Sequence, residues 1–168
     1  ELERFRAFVR SSFAKSLAEI GLTPRAGESQ NDVQRRAVLV HAMAKLGRDP
    51  AIVDAAIRYA EEERKDPRSV DPNLVGPCLT VAAILGDAVR YQRWIETFRQ
   101  RKDSGAPPQV TLRYLYTFAE FRLPELVQRT VGLVKDGTVP QEATSPILGQ
   151  LLSNRHSRMQ AWEYVQST

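Results

Sequence analysis

The chain has 168 residues, 42% of them hydrophobic, which is enough to bury a substantial core in a single domain. Its formal charge of +4 comes mostly from arginine, yet 20 acidic residues are interspersed and no dense basic stretch occurs, which argues against a nucleic-acid partner. No apolar run approaches the roughly 18 residues of a membrane span, and the single cysteine, Cys78, excludes an internal disulfide.

In chain order, Leu2, Phe5, Val9, Phe13, Leu17 and Ile20 recur every three or four residues and predict one helical stripe ended by Gly21. Ser29 with Asp32 three positions on predicts a capping box, in which each side chain satisfies the other residue's backbone donor. The helix behind it carries Val33, Ala37, Val40 and Ala44, widened by Leu39, Met43 and Leu46, and stops at Gly47. Asp49-Pro50 opens the next helix: Asp caps, and Pro fits the first position because its missing N–H had no partner. Ile52, Ala55, Ala56, Tyr59 and Ala60 form its face, and Pro67 ends it. Glu61, Glu62 and Glu63 beside Arg64 and Lys65 read as a solvated, salt-bridged helix end.

Asp71-Pro72 repeats the opening device ahead of Leu74, Val75, Cys78, Leu79, Ala82 and Leu85, closed by Gly86. Asp87 caps a helix through Ala88, Tyr91, Ile95 and Phe98 that ends near Ser104-Gly105. Pro107 and Pro108 open another with Leu112, Leu115, Phe118 and Ala119, and Leu123-Pro124 starts a further one with Leu126, Val127, Val131 and Val134, stopped by Gly137. Segments 141–153 and 158–165 complete the set, and no alternating strand pattern appears. The predicted fold is all-α, with about nine helices.

Very short turns at Gly47, Gly86 and Arg122 recur about 36–39 residues apart and force antiparallel neighbours. They predict HEAT- or armadillo-like stacked helical hairpins in one domain over 1–168.

The constellations of catalysis are missing. The only histidines, His41 and His156, have no His or Cys partner at ligand spacing, so neither predicts a metal site. Cys78 lies in an apolar run and reads as a buried thiol; no nucleophile elbow and no glycine-rich phosphate loop occurs. The site expectation is therefore none: no catalytic, cofactor-binding or metal-binding residue. Trp94, Tyr114, Tyr116, Phe118, Phe121 and Trp162 fall mostly on helical stripes and read as packing. Tyr114 and Tyr116, next to Arg113, carry a second reading as a groove for an extended chain.

The second half carries a resemblance. Its residues are Leu85-Gly86-Asp87 followed by Trp94; Arg113-Tyr114-Leu115 with Phe118-Ala119; and Pro124-Glu125-Leu126 heading the next helix. Val139-Pro140-Gln141-Glu142 then precedes Ile147 and Leu151-Leu152, and the run closes with Asn154-Arg155 and Arg158 through Ala161-Trp162-Glu163-Tyr164-Val165. This resembles the C-terminal helical domain of zinc aminopeptidases of the aminopeptidase N and puromycin-sensitive type, the endoplasmic-reticulum-aminopeptidase-like C-terminal domain. Segments 33–47 and 52–62 fit that domain's earlier hairpin, so the resemblance spans about Asp32 to Val165. One departure is His156-Ser157, where the family tends to carry Gly soon after the Asn.

The resemblance implies a parent that removes N-terminal residues from peptides, a gluzincin holding zinc through a His-Glu-x-x-His helix and a downstream Glu. None of that motif lies in this chain. It further implies a helical domain that curves over the active site, encloses a cavity and offers basic or aromatic side chains to the distal part of the peptide. The implied partners are the catalytic domain of the same parent chain and the peptide substrate. The alternative is a stand-alone helical-repeat scaffold for a protein partner.

The charged start Glu1-Leu2-Glu3-Arg4 without Met suggests an excised piece of a larger domain. Exposed apolar ends are then expected to self-associate through Leu2, Phe5 and Phe8 or through Trp162 and Val165.

Overall fold

The computed structural model describes residues 1–167, and these are helical with no strand among them. The helices are α1 (Leu2–Ile20), α2 (Gln30–His41), α3 (Pro50–Lys65), α4 (Pro72–Ile84), α5 (Ala88–Asp103), α6 (Pro108–Thr117), α7 (Pro124–Lys135), α8 (Gln141–Ser153) and α9 (Arg158–Ser167). A π turn (Ala42–Leu46) continues α2, and a 3₁₀ turn (Phe118–Glu120) continues α6. The chain divides into two compact units, Glu1–Ala82 and Ala83–Thr168, with the boundary inside α4.

The helix starts follow the expected caps. Asp49 accepts from the Ile52 backbone N–H at 3.2 Å, Asp71 from Asn73 at 2.8 Å and Asp87 from Arg90 at 2.9 Å. Each side chain satisfies a donor that the first helical turn leaves open. At Ser29 the box is half-formed. Asp32 N–H donates to Ser29 Oγ at 3.2 Å, but the hydroxyl donates to the Asp32 carboxylate at 2.9 Å. The two side chains bond each other, so only one backbone donor is capped.

In the first unit, α1 packs on α2 and on the π turn, which also packs against α3. Val9, Leu17 and Ile20 meet Leu39, Val40, Met43, Ala44, Ala55, Ala56 and Ala60 in the buried set. The stripe on α1 is buried only in part, since Leu2, Phe5 and Phe13 are exposed. Leu46 departs from its predicted face as well. Gly47 N–H donates to Ala42 O, five residues back, at 2.9 Å. The extra residue in that wider turn advances the helical phase, and Leu46 is turned out to solvent.

That turn closes with Asp49 N–H donating to Met43 O at 3.0 Å, and Arg48 between them is left-handed at φ 52. This is the position where a helix end usually places glycine. The glycine stands one residue earlier for a packing reason: a Cβ on Gly47 would lie 2.8 Å from Met43 O and 3.2 Å from the side chains of Val9 and Arg10. The Met43 carbonyl, with α1 packed close behind it, takes the glycine, and the left-handed conformation falls on an arginine, where the Cβ makes it costly.

Two charged residues enter this unit's interior. Arg36 is buried on α2 and Glu63 on α3, so Glu63 is not part of the solvated helix end predicted for it. Glu61 and Glu62 do pair as expected, with Arg64 at 2.9 Å and Arg58 at 3.7 Å.

In the second unit, α5 packs on α6, α6 on α8, α8 on α9 and α7 on α9. The 3₁₀ turn packs against both α7 and α8. Contacts between helices two apart in sequence, α6 with α8 and α7 with α9, are consistent with stacked hairpins. The core is aromatic: Tyr91, Trp94, Phe98, Tyr114, Phe118 and Phe121 are all buried, with Leu115, Leu126, Val127 and Ile147 around them.

Candidate functional site

The residues that carry the resemblance sit in the second unit, and their geometry is structural. Trp94 stands edge-on to Tyr114, ring centroids 5.4 Å apart, and to Phe121 at 5.7 Å. Tyr91 meets Phe121 at 4.9 Å and Phe118 at 5.0 Å. Tilted and edge-to-face pairs place the positive ring edge on a negative face, so this cluster is held by ring electrostatics as well as by burial. The Tyr91 hydroxyl lies 2.9 Å from Thr130 Oγ1, which also reaches Leu126 O at 2.9 Å. Burial pushes the Tyr91 phenol up to about 12.

Tyr114 is fully buried, with Trp94 at its edge and the Arg101 guanidinium 4.8 Å over its ring. The reading of Tyr114 as a peptide groove therefore gives way to packing. Tyr116 is half-buried.

The closing signature builds the α8–α9 turn. Asn154 Nδ2 donates to Ala119 O at 3.1 Å, tying this turn to the 3₁₀ segment, and Asn154 Oδ1 accepts from His156 N–H at 3.0 Å. Ser157 is buried and donates its hydroxyl to Leu151 O at 2.7 Å. The turn needs no glycine, because His156 and Ser157 both keep negative φ; Arg48 is the one non-glycine residue with positive φ among those described. Ala161 packs inward, while Met159, Trp162 and Val165 are exposed on α9.

Groups with the chemistry for catalysis lie apart. His156 is exposed and takes an N–H from Arg155 at 3.2 Å; slight burial, then Arg122 and Arg155, hold it below the ordinary histidine range. His41 is half-buried on α2. Cys78 is fully buried and its thiol is pushed up to about 12, so little thiolate forms near neutral pH. Among the described residues no three His, Cys, Asp or Glu side chains converge as a metal site would require. The described residues do not fit the zinc that the resemblance implies for the parent. No helix among the described residues is long and apolar enough to cross a membrane.

What remains as functional surface is made of shallow clefts and exposed side chains. In the first unit a cleft of about 290 Å³ is lined by Ala14, Ala18, Met43 and Ile52 on its apolar walls, with Asp49 at its edge. In the second, one of about 260 Å³ between α7 and α9 is lined by Gln128, Val131, Gln160 and Tyr164.

The family model described as ERAP1-like C-terminal domain matches residues 1–168. The chain belongs to the ERAP1-like C-terminal domain family, a helical domain of aminopeptidases.

Proposed function

We propose that this chain is the non-catalytic helical domain of a zinc aminopeptidase, lying over the active-site cavity and contributing to the access and binding of peptide substrates. The family match over all 168 residues is the observation that carries this reading. In this reading the chemistry belongs to the catalytic domain of the same parent chain. The two units then belong to one functional domain, and the zinc belongs to the catalytic domain.

The test is amide hydrogen exchange in the full-length parent, made inactive at its motif glutamate. A long peptide is expected to protect amides within this chain, whereas a single-residue amide substrate protects none of them. Equal protection by both, or none by the long peptide, contradicts the cavity role.

We also propose that the chain alone self-associates through its exposed apolar faces. Phe8 is 68% exposed and Leu2 57%, while Trp162 is 48% and Val165 40%. Apolar patches of this kind are normally covered in a helical array. Sedimentation of the isolated chain is expected to show concentration-dependent association that Phe5→Ser with Phe8→Ser or Trp162→Ser weakens. A monodisperse monomer at all concentrations argues against it.

A further inference from the structure

A cleft of about 190 Å³ lies in the second unit, where α5 and α8 both pack on α6. Phe98 and Leu112 supply its apolar lining, with Pro140 beside them. Lys102, in the last turn of α5, and Glu142, in the first turn of α8, are exposed and border the same cleft. The two do not bond each other, and among the described residues neither is paired with an opposite charge. Single surface charges are ordinarily just solvated. These two differ in having apolar surface held between them.

Thr111 adds a polar group that is poorly used. It is 7% exposed and lines the cleft from α6. Its hydroxyl reaches Pro107 O at 3.4 Å, outside the ordinary range of about 2.5–3.0 Å for such a bond. A buried hydroxyl bonded that weakly gains from a nearer partner. The size of the cleft limits what fills it. Drug-sized ligands take clefts of about 300–1,000 Å³, so this one suits a single residue better than a length of peptide. The charges narrow the choice further. An internal peptide residue carries neither an ammonium nor a carboxylate, and a terminal residue carries one of them. A free amino acid carries both.

We propose that this cleft binds a free α-amino acid with an apolar side chain. The ligand's ammonium pairs with Glu142, its carboxylate pairs with Lys102, and its side chain covers Phe98 and Leu112. The Thr111 hydroxyl donates a second hydrogen bond to the carboxylate. Each ion pair alone is worth little at a surface. Here one small, stiff ligand makes both at once and buries apolar area between them, so the ordering cost is met a single time. The site lies wholly within the second unit and does not depend on the peptide-access role.

The experiment titrates the isotope-labelled chain with L-leucine and follows its amide shifts by NMR, with binding heat measured in parallel. Saturable shifts are expected around Phe98, Leu112 and Glu142, and not in the first unit. The ligand's three groups are then removed in turn. N-acetyl-L-leucine lacks the ammonium, L-leucinamide lacks the carboxylate and glycine lacks the side chain. Each is expected to bind at least about fivefold more weakly than L-leucine. Lys102→Met and Glu142→Gln change exposed side chains and so leave the fold intact. Each is expected to weaken L-leucine binding about fivefold to tenfold. The proposal is overturned if L-leucine gives no saturable response, or if its shifts centre elsewhere. It is overturned equally if any of the three analogues binds as tightly as L-leucine, or if either variant binds as wild type does.

Discussion

Arg36→Met is expected to destabilise the chain by about 3 kcal/mol, seen as a fall in melting temperature of roughly 6–12 °C. Arg36 lies 1% exposed on α2. Its Nε donates to Gly21 O at 3.0 Å, Nη2 to Ile20 O at 3.3 Å and Nη1 to the Glu28 carboxylate at 2.6 Å, with a second bond from Nη2 completing the fork. One side chain therefore ends α1, holds the 21–29 loop and neutralises Glu28. Removing it leaves a nearly buried carboxylate and two carbonyls without a donor, and stranded groups of that kind cost more than the bonds were worth net. Arg36→Met with Glu28→Leu is expected to recover part of the loss, because no orphaned charge remains. Recovery of none of it would place the effect in the carbonyls alone.

The pH dependence follows from Glu28. Its carboxyl is held below its ordinary value of 4.5, first by the hydrogen bond from Arg36. A depressed carboxylate contributes stability that is full above 4.5 and lost as pH falls through the lower folded value. The gap between wild type and Arg36→Met is therefore expected to be constant near neutrality and to narrow in acid below 4.5. A gap that stays constant through that window contradicts an ionic role for Glu28.

Trp94→Ala is expected to cost about 4 kcal/mol, the range for removing a fully enclosed indole. Trp94 is completely buried and joins Tyr114 to Phe121 through two edge-on contacts. Its Nε1–H, however, has no hydrogen-bond partner among the described residues. A buried donor left unbonded costs about 1–3 kcal/mol, so removing it returns something. Trp94→Phe is therefore expected to lose clearly less than the missing ring volume suggests, about 1–2 kcal/mol in denaturant unfolding. If Trp94→Phe costs as much as Trp94→Ala, the indole N–H has a partner that matters.

The helices were legible because their start signals are local. Asp49-Pro50, Asp71-Pro72 and Asp87 each place a carboxylate at an open turn, and the segment 141–153 coincides with α8. Arg36 was not legible, since its partners lie 8 to 16 residues back in a loop and a helix end, and no periodicity records such a contact. The π turn escaped for another reason. It is a change of hydrogen-bond partner from four residues back to five, and its composition, Ala-Met-Ala-Lys-Leu, reads as ordinary helix. The left-handed Arg48 was hidden by its neighbour: Gly47 marks the helix end in sequence, but the Met43 carbonyl and the α1 side chains leave no room there for a Cβ. As to function, the run from Leu85-Gly86-Asp87 to Val165 carried the family signature, which the match over residues 1–168 bears out.

The most direct test of the central claim is aminopeptidase activity, measured with zinc present on a single-residue amide and on a long peptide. The full-length parent is expected to cleave both, losing activity to a chelator, while the isolated chain cleaves neither. Saturable, zinc-dependent turnover by the isolated chain would contradict the account, and so would a full-length parent that cleaves no peptide.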